Sequence, residues 1–426
     1  MAVAFRAARL LPSSAAEVIE DGVVVVRDGR IAEVGSYRAL QQSIPANTAV
    51  RDLGDVTLMP GLFDCHVHLQ MDPSTINTST EITMTDDELL PLMKTNALRL
   101  LDAGVTTARD LGSRGLTAVQ LRDSIEKGEV LGPRLQCANA PLTVAGGHAH
   151  AMGGVCAGIE GVRNEVRKRA AEGADLIKVM STGGFMTAGS HPSQARFTQE
   201  EMNAIADEAR KLGIPVTAHA IGVEGIDRVA NAKFDTVEHC SWVNAEGRAV
   251  FDPVVAQKLV DNNVAVCPTM NTACVKQHYF CPWDSHAVVV DNWASLRKAN
   301  IKIFMGTDSG IGLCRFERYA DGLTVLAEAG YTVRELIAAA TDVAAEVCGL
   351  EGETGKLEPG LAADLVAFAG YPLEDLQAFF EPRFVMACGR EHKLTPIAPV
   401  GDTTEAGALT VRLLRQGAGL KEEIPK

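Results

Sequence analysis

Histidines and one aspartate stand at or near the ends of several short apolar runs in the sequence. His66 and His68 end the run LFDCHVH, His219 lies in PVTAHA, His239 lies in TVEHC, and Asp308 lies in KIFMGTDS. Imidazole nitrogens and carboxylate oxygens are ordinary ligands of divalent transition metals. Alternate residues of a strand face the same way, so that His66 and His68 can bind one ion together. These residue types predict a metal site that is assembled from distant parts of the chain.

Lys178, in the run DLIKVM, is the exceptional member of this group, because its ammonium form would repel a cation. A buried lysine loses its proton readily. The neutral amine can react with carbon dioxide to form a carbamate, which is a carboxylate on a long arm that could bridge two metals. An ion pair with a nearby acid is the alternative role for this lysine.

The chain has eight short apolar runs, five of which carry these residues, and amphipathic helical stretches such as residues 198–213 lie between the runs. Runs of four to eight residues that are apolar on both faces are typical of strands buried in a parallel sheet. Eight strand–helix alternations predict an α/β protein with a (β/α)8 TIM barrel, and an open doubly wound sheet is the alternative. In a barrel the carboxyl ends of all strands meet at one mouth, where active sites form.

The two ends of the chain predict a second, smaller β-rich domain. Residues 22–35 have the pattern of a hairpin, and residues 363–368 and 383–393 are strand-like. We expect these terminal strands to pair with one another. The predicted divisions are 1–56 and 356–405 for the two parts of the small domain, 57–355 for the barrel, and 406–426 for a C-terminal tail.

Composition excludes several classes of protein. The chain has 426 residues and a net charge of −14, with 54 acidic against 40 basic residues, so that a nucleic-acid partner is not expected. No apolar stretch is long enough for a membrane helix.

The ten cysteines have no zinc-ribbon spacing, since Cys267, Cys274 and Cys281 are seven residues apart. Reduced, mostly buried thiols in a cytoplasmic protein are expected. The N-terminus predicts a first strand, with an organelle presequence as the alternative.

Longer motifs resemble a known superfamily. The stretches LMPGLFDCHVHL, IKVM, AHA, EHC, GTDSG and TGKLEPGLAADLVAF resemble the amidohydrolase superfamily of metal-dependent hydrolases over nearly the whole chain. GGH at 146–148 and KVMSTGG at 178–184 resemble the branch of that superfamily with Xaa-Pro dipeptidases, ochratoxinase-type amidases and phenylurea hydrolases. The resemblance implies a small β-sandwich domain, built from the N- and C-terminal segments, beside the barrel. It also implies a homo-oligomer.

The resemblance further implies a binuclear zinc site, in which a hydroxide bridges the two ions. The implied ligands are His66, His68 and Asp308 for one ion, His219 and His239 for the other, and carbamylated Lys178 as a bridge between them. Asp308 would accept the proton of the hydroxide and pass it to the leaving nitrogen. Asp308 is therefore one expected catalytic residue, and the resemblance implies His148 as the other.

Substrate contacts are expected from other residues near the mouth. His148 resembles the substrate-polarising histidine of the branch and would help to stabilise an oxyanion. Dipeptidase-like members often have an aromatic residue or a histidine where this chain has Ile221, which weakens a dipeptide assignment. Arg315 and Tyr319 could bind a substrate carboxylate instead, or lie in an exposed loop. Candidates for an apolar pocket are Trp242, Phe185 and Met186, with core packing as the alternative. Histidines expected to be solvated or structural are His191, His278, His286 and His392.

The expected reaction is hydrolysis of an amide or peptide-like C–N bond in a small-molecule substrate. N-acyl amino acids, dipeptides and aryl amides are the expected substrates, and phenylureas, carbamates and cyclic amides are alternatives. A mononuclear deaminase and a phosphotriesterase or lactonase are alternatives within the same superfamily. A non-catalytic barrel that acts as a scaffold is the alternative from another class.

Overall fold

The computed structural model describes residues 2–46, 48–74, 84–185, 187–279 and 284–417. Met186 and Cys281 lie outside these ranges. Nine of the ten cysteines are described, and all nine are free, most of them buried. None of the helices in the described ranges has both the length and the hydropathy that crossing a membrane requires.

Strands and helices alternate through the middle of the chain, whereas strands dominate near its two ends. The strands are β1 (Ala2–Leu10), β2 (Ile19–Arg27), β3 (Arg30–Ser36), β4 (Ala49–Asp52), β5 (Val56–Pro60), β6 (Leu62–Val67), β7 (Val105–Asp110), β8 (Arg134–Cys137), β9 (Ile177–Met180), β10 (Val216–Gly222), β11 (Thr236–Val243), β12 (Ala265–Cys267), β13 (Leu365–Ala369), β14 (Pro382–Ala387) and β15 (Arg390–His392). The α-helices are α1 (Tyr37–Leu40), α2 (Asp86–Asp102), α3 (Thr117–Glu126), α4 (Gly158–Ala171), α5 (Gln199–Leu212), α6 (Val223–Ala232), α7 (Pro253–Asp261), α8 (Thr272–Val275), α9 (His286–Lys298), α10 (Ala320–Glu328), α11 (Val333–Ala340), α12 (Asp342–Val347) and α13 (Thr404–Gly417).

Local sequence explains where these helices begin and end. Helix α5 follows Thr198, whose hydroxyl accepts from the Glu201 amide while the Glu201 carboxylate accepts from the Thr198 amide. Such a capping box satisfies amides that have no partner within the helix. Gly213 ends the helix in the left-handed conformation, with φ +69°. The helix predicted over residues 198–213 is therefore confirmed.

The terminal strands form one eight-stranded sheet in the order β15-β14-β13-β5-β1-β2-β3, with β4 paired to β1. Antiparallel pairing of β13 with β5 joins the two ends of the chain. The predicted hairpin is confirmed as β2 and β3, with Asp28 and Gly29 at φ +50° and +78° in its turn. Because these strands belong to a single sheet in the described residues, a two-sheet sandwich is not confirmed.

The strands of the central region are parallel. They form a three-stranded sheet, β6-β7-β8, and a four-stranded sheet, β12-β11-β10-β9. An isolated parallel bridge pairs Leu142, which follows β8, with Val179 of β9. Another pairs Val266 of β12 with Ile303. The mixed α/β architecture is confirmed, but the described residues do not form one closed eight-stranded sheet.

The segment KIFMGTDS explains this difference from the predicted barrel. Its bridges to the parallel strands are isolated ones, from Ile303 to Val266 and from Ser309 to Val67, and it is not a continuous strand. Asp308 in this segment has φ +60°, which lies outside the extended region that a strand requires. The expected eighth strand is therefore interrupted at the residue that was predicted to bind metal.

Candidate active site

The predicted metal ligands lie at one end of the parallel strands. His66 lies in β6, Lys178 in β9, His219 in β10 and His239 in β11, while His68 directly follows β6. All of these residues line one cavity. Four further predicted site residues line the same cavity: His148, Phe185, Ile221 and Asp308. Because side chains from six separate segments meet here, the fold brings together groups that are far apart in sequence.

One compact group consists of His66, His68 and Asp308, whose candidate ligand atoms all lie within 4.8 Å of one another. Asp308 Oδ1 is 3.3 Å from His66 Nε2 and 3.1 Å from His68 Nε2. Burial opposes ionisation of Asp308, but the two imidazoles hold the pKa of its carboxyl group well below the usual range. The group is an arrangement of nitrogen and oxygen donors that suits a divalent cation.

A second group of imidazoles lies beside the first. The ring centroids of His219 and His239 are 4.5 Å apart, and those of His66 and His239 are 5.3 Å apart. Burial holds the pKa values of His219 and His239 well below the usual range, so that both rings are neutral at neutral pH. Neutral imidazole is the form of histidine that binds metal.

Hydrogen bonds determine which nitrogen of each ring carries the proton. His66 Nδ1 lies 2.9 Å from Glu238 Oε2, and His219 Nε2 lies 2.8 Å from the Gly183 carbonyl oxygen. Since a carboxylate and a carbonyl can only accept, these ring nitrogens donate. The lone pair is then on His66 Nε2, which faces Asp308, and on His219 Nδ1. This hydrogen bonding leaves one free ligand atom on each ring, as is usual for histidines that bind metals.

His239 is oriented in the same way by a hydroxyl group. Thr269 Oγ1 donates to the Pro268 carbonyl oxygen at 2.7 Å and lies 2.9 Å from His239 Nδ1. Because the hydroxyl proton is used on Pro268, Thr269 accepts from His239 Nδ1 and leaves the lone pair on Nε2.

Glu238 supports His66 from the opposite side of the metal group. Its carboxylate is fully buried and also accepts from Arg109 Nη2 at 2.9 Å and from Thr217 Oγ1 at 2.5 Å. Arg109 donates in addition to the Cys65 carbonyl oxygen at 2.8 Å. A buried carboxylate held by these hydrogen bonds fixes the orientation of the His66 ring.

Lys178 is fully buried among these ligands, and its Nζ atom has no hydrogen-bond partner in the described residues. Burial lowers the pKa of its ammonium to about 8, although Glu238 and Asp308 act in the opposite direction. The ion pair that sequence analysis left open is thus not present at hydrogen-bonding distance. A buried amine without a partner is unfavourable as it stands, and its conversion to a carbamate that binds cations would satisfy it.

His148 lies next to His219, with ring centroids 4.8 Å apart. The ring is buried, its Nδ1 has no partner among the described residues, and burial lowers its pKa to about 4. Gly184 makes room for it, because a Cβ at that position would lie 2.6 Å from His148 Cε1. The two glycines after strand β9 therefore have separate roles. The Gly183 carbonyl oxygen orients His219, and the absence of a side chain at Gly184 leaves space for the ring of His148.

The backbone is strained where it presents several of these groups. His239, Thr269 and Asp308 have φ values of +74°, +55° and +60°, in the left-handed region that side chains disfavour. Each such residue costs about 1–3 kcal/mol and persists only because its surroundings impose the conformation. The concentration of strained residues around one cavity is typical of a functional site.

Three residues predicted to contact substrate do not line the cavity, which is a correction to the sequence analysis. Trp242 is buried against Phe251, with ring centroids 5.0 Å apart. Arg315 donates to the carboxylate of Glu317 two residues away, and Tyr319 is almost fully buried. Arg315 and Tyr319 flank a short 3₁₀ helix, Phe316–Arg318, which follows Asp308, whereas Trp242 lies in β11.

Glu238 and Arg109 are the important residues that sequence analysis missed. Each is a charged residue within an otherwise apolar run, TVEHC and VTTARDL, and this contrast is a signal that could have identified them. Thr269 gives no such signal, because its role depends on a backbone turn that places it beside His239.

Four imidazoles, one carboxylate and a buried lysine at the carboxyl ends of parallel strands define a candidate site of the metal-dependent hydrolase class. The comparison with protein families identifies the family, because residues 57–391 match the amidohydrolase family. The chain therefore belongs to the amidohydrolase family and is a hydrolase of that superfamily.

Individual relatives agree with this assignment. Ochratoxinase from Aspergillus niger is 28% identical to this chain over 434 residues, which cover 91% of the chain and 85% of the relative. A crystal structure of a Xaa-Pro dipeptidase has a TM-score of 0.80 at 24% identity and covers 92% of this chain and 100% of its own. Phenylurea hydrolase B has a TM-score of 0.79 at 20% identity and covers 94% and 99%. The resemblance found in the sequence is thus confirmed, and the two structures show the shared fold.

Proposed function

We propose that this chain is a binuclear zinc amidohydrolase that cleaves an amide bond flanked by apolar groups. One observation supports this proposal above all. Every predicted metal ligand lines the same cavity, and these ligands surround a lysine whose Nζ atom has no partner in the described residues.

The residues present fit two divalent cations. His66, His68 and Asp308 would hold one ion, and His219 and His239 would hold the other. His66, His219 and His239 would each bind through the ring nitrogen that its hydrogen bond leaves free. When bound, two metal ions lower the pKa of water so that a hydroxide nucleophile is present at neutral pH.

Lys178 would complete the site as a carbamate. Its neutral amine attacks carbon dioxide, an N–C bond forms, and one proton is released to solvent. The product is an anion in place of an ammonium, so that its charge complements the cations. The lowered pKa of the amine supports this step, because more of it is unprotonated near neutral pH.

Asp308 and His148 would act on the substrate itself. Asp308 accepts a proton from the attacking water and delivers it to the leaving nitrogen, a role that a carboxylate at this position can perform by general acid–base catalysis. His148 is neutral and buried, so that its ring N–H can donate to the oxygen that becomes negative at the carbonyl.

The cavity wall favours apolar groups on the substrate. Met71, Met180, Phe185, Ile221 and Trp293 line it, and no arginine of the described residues does. A substrate carboxylate would therefore lack the bidentate partner that arginine provides. We accordingly place aryl amides without a carboxylate ahead of N-acyl amino acids and small dipeptides, both of which carry one.

We also propose the finer architecture that this site requires. The isolated bridges at Leu142 and Ile303 continue the pairing between the parallel sheets, and Val67 pairs with Ser309. These contacts support a (β/α)8 barrel over residues 57–355. The sheet of terminal strands corresponds in position to the β-sandwich domain that residues 1–56 and 356–405 were expected to form.

A hydrolysis screen of the zinc-loaded protein tests the function. The substrates are matched pairs, such as N-benzoyl-phenylalanine with benzanilide, and Xaa-Pro dipeptides with the corresponding amides. We expect cleavage of the apolar amides, and no cleavage by Asp308→Asn. Release of ammonia without cleavage into two fragments would identify a deaminase instead, and turnover of dipeptides alone would contradict the proposed substrate class.

A further inference from the structure

The last described helix, α13, lies against the segment that forms the outer wall of the cavity. His278 Nε2 lies 2.9 Å from Oγ1 of Thr403, just before the helix, and Arg415 Nη2 donates to the Tyr279 carbonyl oxygen at 3.0 Å. His278 and Tyr279 both line the cavity, and so does Leu414 from the helix itself. Helix α13 therefore forms part of the wall of the cavity that contains the candidate metal ligands.

Only one face of α13 is buried. Gly407 and Thr410 are buried and Leu414 is partly buried, at positions that recur on one side of a helix, whereas Leu413 is 45% exposed. Gly407 packs so closely on His278 that a Cβ there would lie 2.4 Å from its ring. The close approach at Gly407 fixes which face of the helix turns inward, and Leu414 projects from that face into the cavity.

The region of the chain that matches the family ends at residue 391, before α13 begins. The inner part of the cavity is made from segments within the family match, while Leu414 comes from outside it. An apolar side chain at this place adds surface that a substrate can contact without changing the metal ligands.

We propose that Leu414 is a specificity-determining residue, which contacts the apolar group of the substrate and limits its size. The inference rests on the proposed amide hydrolysis, because it concerns the pocket for the same substrate. Removing the end of the Leu414 side chain enlarges the pocket, and a larger aromatic side chain fills it. Neither change alters the residues that hold metal or move protons.

Leu414→Ala and Leu414→Phe test the proposal, with Leu413→Ala and Leu413→Phe as matched controls on the exposed neighbour. For each variant, kcat/KM is measured with the smallest and the largest apolar amide that the zinc-loaded wild-type protein cleaves. We expect Leu414→Ala to raise the large-to-small ratio of kcat/KM about fivefold and Leu414→Phe to lower it by a similar factor. Both Leu413 variants keep the wild-type ratio.

Opposite shifts in the two Leu414 variants would support the proposal, because general destabilisation lowers both rates and leaves their ratio unchanged. An unchanged ratio in Leu414→Ala, or equal shifts in the Leu413 controls, would overturn it. If Leu414→Ala does not fold, the comparison of Leu414→Phe with Leu413→Phe decides in the same way. Absence of amide cleavage by the wild-type protein would instead refute the proposed function, and this inference with it.

Discussion

The inner and outer parts of the cavity are built in different ways. The inner part holds ionisable side chains: His66 and His239 are oriented by hydrogen bonds, and His239 and Asp308 lie on strained backbone. The outer part is mainly apolar and is formed by loops, by helix α9 and by Leu414 of α13. Rigid polar groups preserve a reaction geometry, whereas an apolar wall can change in shape without disturbing it. We therefore expect inner substitutions to abolish turnover and outer ones to change substrate preference.

The largest effect is expected at Asp308. Asp308→Asn keeps the size of the side chain but removes the group that accepts and delivers the proton, which should lower kcat by about 10²–10⁴-fold. Steady-state kinetics measure the loss of turnover, and thermal unfolding measures any change in stability. The exposed Asp261→Asn is the matched control and should be nearly neutral. If Asp308→Asn had an activity close to that of the wild type, substitutions in the inner part of the cavity would not differ from those in the outer part as we expect.

Lys178→Met should have the next largest effect. Methionine keeps the apolar stem in the buried site but cannot form a carbamate, so that the metal content should fall from two ions to one per chain. Elemental analysis measures this, and intact mass should show one added carbon dioxide only in the wild type. Lys298→Met, at an exposed lysine, is the control. Two ions per chain in Lys178→Met would show that no lysine bridge is needed.

Glu238→Gln tests the hydrogen bonding that orients the inner ligands. The amide can no longer balance the charge of Arg109 and accepts a weaker hydrogen bond from the neutral ring of His66, so that zinc affinity should fall by about 10–100-fold. Competition with a chromophoric chelator measures the affinity. The exposed Glu246→Gln serves as control. Equal zinc affinities in both variants would mean that the buried hydrogen bonds of Glu238 stabilise the fold without affecting metal binding.

Arg315→Gln should have the smallest effect. Its side chain pairs with Glu317 and does not line the cavity, so that KM should remain within about twofold of the wild-type value. Substrate-saturation kinetics with an N-acyl amino acid and its neutral amide give the comparison. A large rise in KM for the acid alone would restore the carboxylate-binding role that the sequence suggested.

The fold was predictable from the sequence where local signals decide the structure. The capping residue Thr198, the turn at Asp28 and Gly29, and the apolar runs of the parallel strands each specify one local conformation. The interruption of the eighth strand at Asp308 was not predictable, because its positive φ depends on the surrounding contacts. The sequence of KIFMGTDS by itself is typical of a strand.

The convergence of the ligands was predictable because residue type and strand position are both visible in a sequence. Outer wall residues were harder to assign: Arg315, Tyr319 and Trp242 were candidates for substrate contact, but they do not line the cavity. Their positions depend on how loops fold back after each strand, which has no periodic pattern. For the same reason His278, which sequence analysis expected to be solvated or structural, lines the cavity.

We propose that two metal ions lie among these ligands, with Lys178 between them. The decisive experiment is anomalous diffraction at the zinc absorption edge, from crystals grown with zinc and bicarbonate. We expect two zinc peaks, one beside His68 and Asp308 and one beside His219 and His239, with density for a carbamate on Lys178. A single peak, or an unmodified lysine turned away from the ions, would contradict it.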